Sequence, residues 1–122
     1  MITPLPDELR AVIDALEATI SRLAILSEER DHMVEIVQAR RALADGFMAL
    51  SSRLDSSDLS AETKAEARSR LSALRQIVSL HQADWPILAA RDDPEGYRAS
   101  AMRASEASRG FIDWMRRLPQ QM

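Results

Sequence analysis

LRAVIDALEATISRLAILSEERDHMVEI, residues 9–36, is the stretch on which the reading of this fold turns. Leu9, Ile13, Leu16, Ile20 and Leu23 recur at steps of four and three, which sets them on one stripe of a helix. Upstream, Pro6 has no amide hydrogen to lose in a first helical turn. Asp7 and Glu8 place negative charge where the first-turn amides point. Downstream, Leu26, Met33, Val37, Leu43, Phe47, Leu50 and Leu54 carry the stripe on. The step from Leu23 to Leu26 is three where four would be regular, which resembles a stammer that overwinds a coiled coil. Gly46 costs some helix stability but has no other breaker beside it. The spacing therefore predicts one long first helix over residues 6–54, roughly 70 Å at 1.5 Å per residue.

Two short breaks separate this helix from two more. In DSSDLS, residues 55–60, the Asp and Ser side chains favour local bonds to backbone amides, and Ser60 or Asp58 can cap the next helix. That second helix is expected over 61–90, with Leu71, Leu74, Val78, His81, Trp85 and Leu88 as its stripe. Pro86 removes a hydrogen bond and disfavours helical angles at Trp85, so a kink or brief interruption is expected near 84–86. In RDDPEG, residues 91–96, Asp93 can cap a third helix that starts at Pro94 and runs to 117. Its stripe is Tyr97, Ala101, Ala104, Ser108, Phe111, Met115 and Leu118, small in the middle and bulky at the end. Arg116 and Arg117 suit the negative end of that helix, and Pro119 ends it.

Helix lengths then set the architecture. The expected fold is all-α in a single domain over 1–122, more than three quarters helix and without sheet. A long N-terminal helix packs with two shorter antiparallel helices, as a three-helix bundle or an extended coiled-coil hairpin. Two short helices that cover residues 25–54 leave Leu9, Ile13, Leu16, Ile20 and Leu23 as exposed apolar surface, which marks a binding site. A partner-binding surface is expected there, helped by Phe111 and Trp114 of the third helix. The alternative is internal cover of the stripe by the third helix, redirected at Pro86 or Pro94.

Composition narrows the function. The net charge is −3, so no global basic footprint for nucleic acid is present. The mildly basic stretch 91–118 and the acidic stretch 1–37 steer partners at most. No cysteine is available for disulfides or thiol chemistry. No apolar run approaches the ~18 residues of a membrane-spanning helix. MITPLPDELR lacks the basic head and apolar block of a secretory signal, so a cytoplasmic location is expected.

No set of residues spells out a reaction. His32 has Asp31 and Glu35 nearby but no second histidine one turn away, and no HExxH or calcium-loop pattern occurs. His81 lies on an apolar stripe, where a partly buried histidine with one hydrogen-bond partner is expected. Phosphotransfer on a helical histidine needs an exposed ring, and the lysine and glycine of its usual surroundings are missing. Glu28, Glu29, Asp31 and Glu35 form an acidic patch, but a di-metal site needs matching inward glutamates and histidines on other helices. The serines at 51, 52, 56, 57 and 60 lack GxSxG or SxxK context and read as turn and cap residues. Arg40–Arg41, Arg68–Arg70–Arg75 and Arg116–Arg117 lie among acids on several faces. The helices are also too long for a helix-turn-helix. No catalytic residue, cofactor or metal is therefore expected.

The layout resembles flagellar export chaperones of the FlgN and FliT kind. The resemblance rests on LRAVIDALEATISRLAILSEERDHMVEI at 9–36, VQARRALADGFMALSSRL at 37–54, the DSSDLS break, and LSALRQIVSLHQADWPILAA at 71–90. It is one of pattern rather than of a diagnostic motif. Family members often have a lysine in the latter part of the first helix and asparagines in the second, regions that here show Arg40–Arg41 and His81–Gln82. The resemblance implies a helical, cytoplasmic, non-enzymatic protein that holds the amphipathic C-terminal helix of a hook-associated or filament protein before export. A structural homodimeric coiled coil, or a helical phosphotransfer or other regulatory domain, would show the same periodicity.

Overall fold

The computed structural model describes residues 5–28 and 32–118. Its five α-helices are, in chain order, α1 (Asp7–Glu28), α2 (Met33–Ser56), α3 (Ala61–Asp84), α4 (Ile87–Asp92) and α5 (Pro94–Arg116). They cover more than three quarters of the chain, and no strand occurs among the described residues.

The single helix expected over 6–54 is divided. α1 and α2 lie antiparallel: Glu8 pairs with Arg53 at 3.5 Å, Leu16 lies over Gly46, and Leu26 clusters with Ile36 and Ala39. The physical reason is cover. Residues 27–32 read SEERDH, six polar residues in a row, so nothing apolar holds a straight helix together there. Folding back lets the stripes of the two halves bury each other, at roughly 1.5–3 kcal/mol per fully buried Leu or Ile. The restart also resets the helical phase. Ile36 and Ala39 point inward, while Met33 and Val37, expected on the stripe, are exposed. Residues 29–31, and with them Glu29 and Asp31 of the acidic patch, lie outside the described residues, as does Pro119.

Gly46 is what lets the two helices meet closely. A Cβ there would fall 2.6 Å from Leu16 Cδ2. Leu16 therefore seats directly on the α2 backbone, and the helix-propensity cost of glycine is offset by that contact.

The later breaks fall where the sequence puts them. Ser60 caps α3, its Oγ accepting from the Thr63 amide at 3.1 Å. Asp93 caps α5 by accepting from the Gly96 amide at 3.1 Å, with Pro94 in the first turn. Between them, the helix expected over 61–90 is interrupted: α3 ends at Asp84 and Pro86 is the N-cap of α4. The end of α3 has carbonyls without helical partners, and Pro86 has no amide to offer. Arg40 of α2 fills part of that gap by donating to the Trp85 carbonyl at 2.8 Å.

Contacts at both ends of each seam fix the topology. α2 and α3 are joined by Asp55–Arg68 at one end and Arg40–Trp85 at the other. α3 and α5 meet through Arg70 on Trp114 and through His81–Ser100. α5 returns to α1 through Arg116, which binds Asp14 at 2.9 Å and Glu17 at 3.0 Å, and through Tyr97–Ser27. Each long helix thus runs opposite to two neighbours, which is the ring of an up-and-down four-helix bundle. This replaces the expected three-helix bundle or coiled-coil hairpin. The main core runs from Leu5, Leu59 and Leu118 at one end, through Leu16, Leu50 and Met115, to Ile20 and Val78.

Candidate functional site

The surface expected on α1 is interior. Leu9, Ile13, Leu16 and Ile20 are at most 4% exposed, and Leu23 packs partly buried against the same core. α2 and α5 cover the stripe, so α1 leaves no uncovered apolar face there. Phe111 is buried. Trp114 is half-buried, stacked on Phe111 with ring centroids 6.4 Å apart, and the Arg70 guanidinium lies 4.5 Å above its ring. These two residues close the bundle's far end, where α5 finishes.

At the opposite end the four long helices meet around polar side chains. His81 Nδ1 and Ser100 Oγ lie 2.6 Å apart. The Tyr97 hydroxyl lies 3.1 Å from Ser27 Oγ, and Ser27 donates to the Leu23 carbonyl at 2.7 Å. Tyr97 stacks on His81 at 5.7 Å and meets Trp85 tilted at 6.3 Å. Gly96 leaves the space in which the Trp85 indole sits, since a Cβ there would come within 2.6 Å of it. Burial lowers the His81 pKa below its ordinary value. The Arg40 and Arg103 guanidiniums lower it further, and Asp84 opposes them. The imidazole is therefore held neutral.

Among these residues lies a cavity of about 40 Å³, lined by Leu43, Val78 and Ala104 and by Ser27, Arg40, His81 and Tyr97. That is room for at least one ordered water, which needs about 10–15 Å³ of such space. It is far below the ~300–1,000 Å³ of ligand pockets. Two wider depressions, about 240 Å³ between α1 and α5 and about 390 Å³ between α2 and α3, are open surface grooves.

The Ser100–His81 pair has the look of a nucleophile and base, but its surroundings do not complete one. Ser100 sits inside α5, where backbone amides are committed to helical bonds and cannot receive an oxyanion. No hydrogen bond orients the other ring nitrogen of His81 among the described residues. His32 Nδ1 lies 3.9 Å from Glu35. No group of three metal-ligating side chains occurs among the described residues. Several of the arginines that the sequence clusters are engaged within the fold: Arg68 with Asp55, Arg70 with Glu66 and Trp114, and Arg116 with α1. No helix of the described chain is long and apolar enough to cross a membrane.

What the structure adds is the placement of exposed apolar side chains. Ile25 lies in the last turn of α1, Met33, Val34 and Val37 lie near the start of α2, Ile77 and Leu80 lie late in α3, and Leu88 is on α4. The antiparallel order brings all of them to the polar end. Val34 and Leu88 are each 66% exposed. α4 docks on the start of α2 through Ile87, which packs against Leu26, Ile36 and Ala39. Sequence reading places Met33, Val37 and Leu88 inside because it continues a stripe across two breaks.

The fold and site together define a class: an up-and-down four-helix bundle with a hydrogen-bonded polar layer at one end. No protein-family model, no curated protein and no solved structure matches the chain.

Proposed function

We propose that this chain is a non-enzymatic protein-binding module that takes its partner on the outer surface of the polar end, around α4 and the first turn of α2. The observation that carries this reading is the gathering of large exposed apolar side chains there, with Val34 and Leu88 as the most exposed. Single exposed apolar residues are ordinary, but a group at one end of a small bundle is binding surface. Each such side chain covered by a partner contributes roughly 1.5–3 kcal/mol before ordering costs. An amphipathic helix is the natural occupant of a surface flanked by helices. The more specific form, a cytoplasmic export chaperone for a hook-associated or filament protein, rests on the sequence resemblance alone. The long first helix behind that resemblance is shared between α1 and α2.

The test is site-specific photo-cross-linking in cells from position 88, with Met48, 63% exposed and in the other half of α2, as control. A defined protein should cross-link from 88 and not from 48. Val34→Glu with Val37→Glu should abolish the adduct from position 88 while leaving the melting temperature unchanged. Equal adducts from both positions, or a stoichiometric metal or turnover in the purified protein, would overturn the reading.

A further inference from the structure

The outward face of α5 carries Glu95, Arg98, Met102, Glu106 and Arg109, spaced three, four, four and three residues apart and all exposed. None of the four charged side chains has an ion pair or hydrogen bond within the described chain. Arg116, further along the same helix, shows the contrast: it is held by Asp14 and Glu17 of α1. Charge on the open face is ordered about Met102. Glu95 and Arg109 stand equally far from it on either side, and so do Arg98 and Glu106. Reading the face backwards exchanges every acid for a base.

We propose that this face pairs with a second copy of the chain, α5 against α5 in antiparallel order, with Met102 at the two-fold axis. In that register Arg98 of each copy stands level with Glu106 of the other, and Glu95 with Arg109. This is the self-complementarity that an isologous dimer requires. Met102, 56% exposed, supplies an adaptable apolar centre. Gly110 fits the same picture. It weakens the helix, and beyond its chain neighbours and its own helix backbone nothing lies within 4 Å of its missing Cβ. In the dimer it comes level with Pro94 of the second copy. The groove between α1 and α5, whose rim includes Arg98, Met102 and Arg109, leaves room beside the contact. One helix face is smaller than the ~1,200 Å² of stable complexes, so the association is weak and sensitive to salt.

Charge exchange tests this directly. The variant R98E/R109E makes the face acidic throughout, and E95R/E106R makes it basic throughout. In sedimentation at low salt the wild-type chain should form a reversible dimer. Each variant alone should associate at least ~10-fold more weakly, and an equimolar mixture of the two should recover the dimer. The chain has no cysteine, so M102C gives a second measurement. It should form a disulfide-linked dimer under mild oxidation faster than M48C, whose parent residue is as exposed. A dimer that persists in both unmixed variants, or M102C that links no faster than M48C, would overturn the proposal. Partner binding is read separately from position 88, so either conclusion can fail while the other stands.

Discussion

The two ends of this bundle are closed by different chemistry. Where α1 and α3 begin and α2 and α5 finish, the helices meet through Leu54, Leu59, Ile112, Met115 and Leu118, all buried and apolar. Where α1 and α3 finish and α5 begins, they meet through Ser27, Arg40, His81, Tyr97 and Ser100. Apolar contact is non-directional and contributes most of the free energy of burial. Hydrogen bonds contribute little net but penalise every arrangement in which a buried partner is missing. The apolar end therefore supplies more of the stability, to which the small cluster of Leu26, Ile36 and Ala39 adds. The polar end fixes which helix stands beside which, and at what height.

That division can be tested most sharply at the apolar end. Leu54 is fully buried, so Leu54→Ala should cost about 2–5 kcal/mol in chemical denaturation, within the range of buried leucine truncations. A cost as small as that of a surface change would mean that this end is not what holds the bundle together. At the polar end, Arg40→Met removes the donor to the Trp85 carbonyl while keeping the apolar stem. A smaller cost is expected, about 1–3 kcal/mol. It should come with faster amide exchange in α4, because Arg40 ties α2 to the chain just before that helix.

The smallest effect is set by pH. His81 is held neutral in the fold, its pKa depressed below 6.5 by burial and then by Arg40 and Arg103. Above that value the imidazole is neutral in both states and contributes no pH dependence. As the pH falls below about 6.5, the unfolded chain binds a proton that the folded chain resists. Stability should then decline by at most about 1.4 kcal/mol per pH unit, and level off below the folded pKa. His81→Gln should flatten that part of the profile. A wild-type profile in which acid stabilises the fold through this range, with the slope lost in the variant, would reverse the sign assigned to His81.

Much of this architecture is legible in the sequence, though unevenly. The stripe from Tyr97 through Ala104, Ser108, Phe111 and Met115 to Leu118 is the buried face of α5, and Ser60 and Asp93 cap the helices that the sequence has them cap. Those features are local. The turn between α1 and α2 escapes a sequence reading because SEERDH contains neither glycine nor proline, and each of its residues is compatible with a helix. What bends the chain there is the mutual cover of two stripes, which no short window contains. The run of six polar residues and the change of phase between Leu26 and Ile36 are the available signals. A straight helix would strand Leu9 to Leu23 on the surface, and they are core because the helix is not straight. His81 is legible as a partly buried histidine, but its partner Ser100 is not, since it belongs to a different helix.

The seam between α1 and α5 differs from the other three in chain entropy. α1–α2, α2–α3 and the α3–α5 pair across α4 join neighbours in sequence, whereas Arg116 reaches Asp14 and Glu17 across separations of 102 and 99 residues. The cost of closing a flexible loop grows only with the logarithm of its length, about 0.6 kcal/mol for each doubling. Going from a local hairpin to a loop that spans the chain is therefore a matter of a few doublings. Once Arg116 or Tyr97 has made its first contact with α1, the remaining contacts of the seam form in a loop already closed. The ring is completed at little more entropic cost than any one of its hairpins.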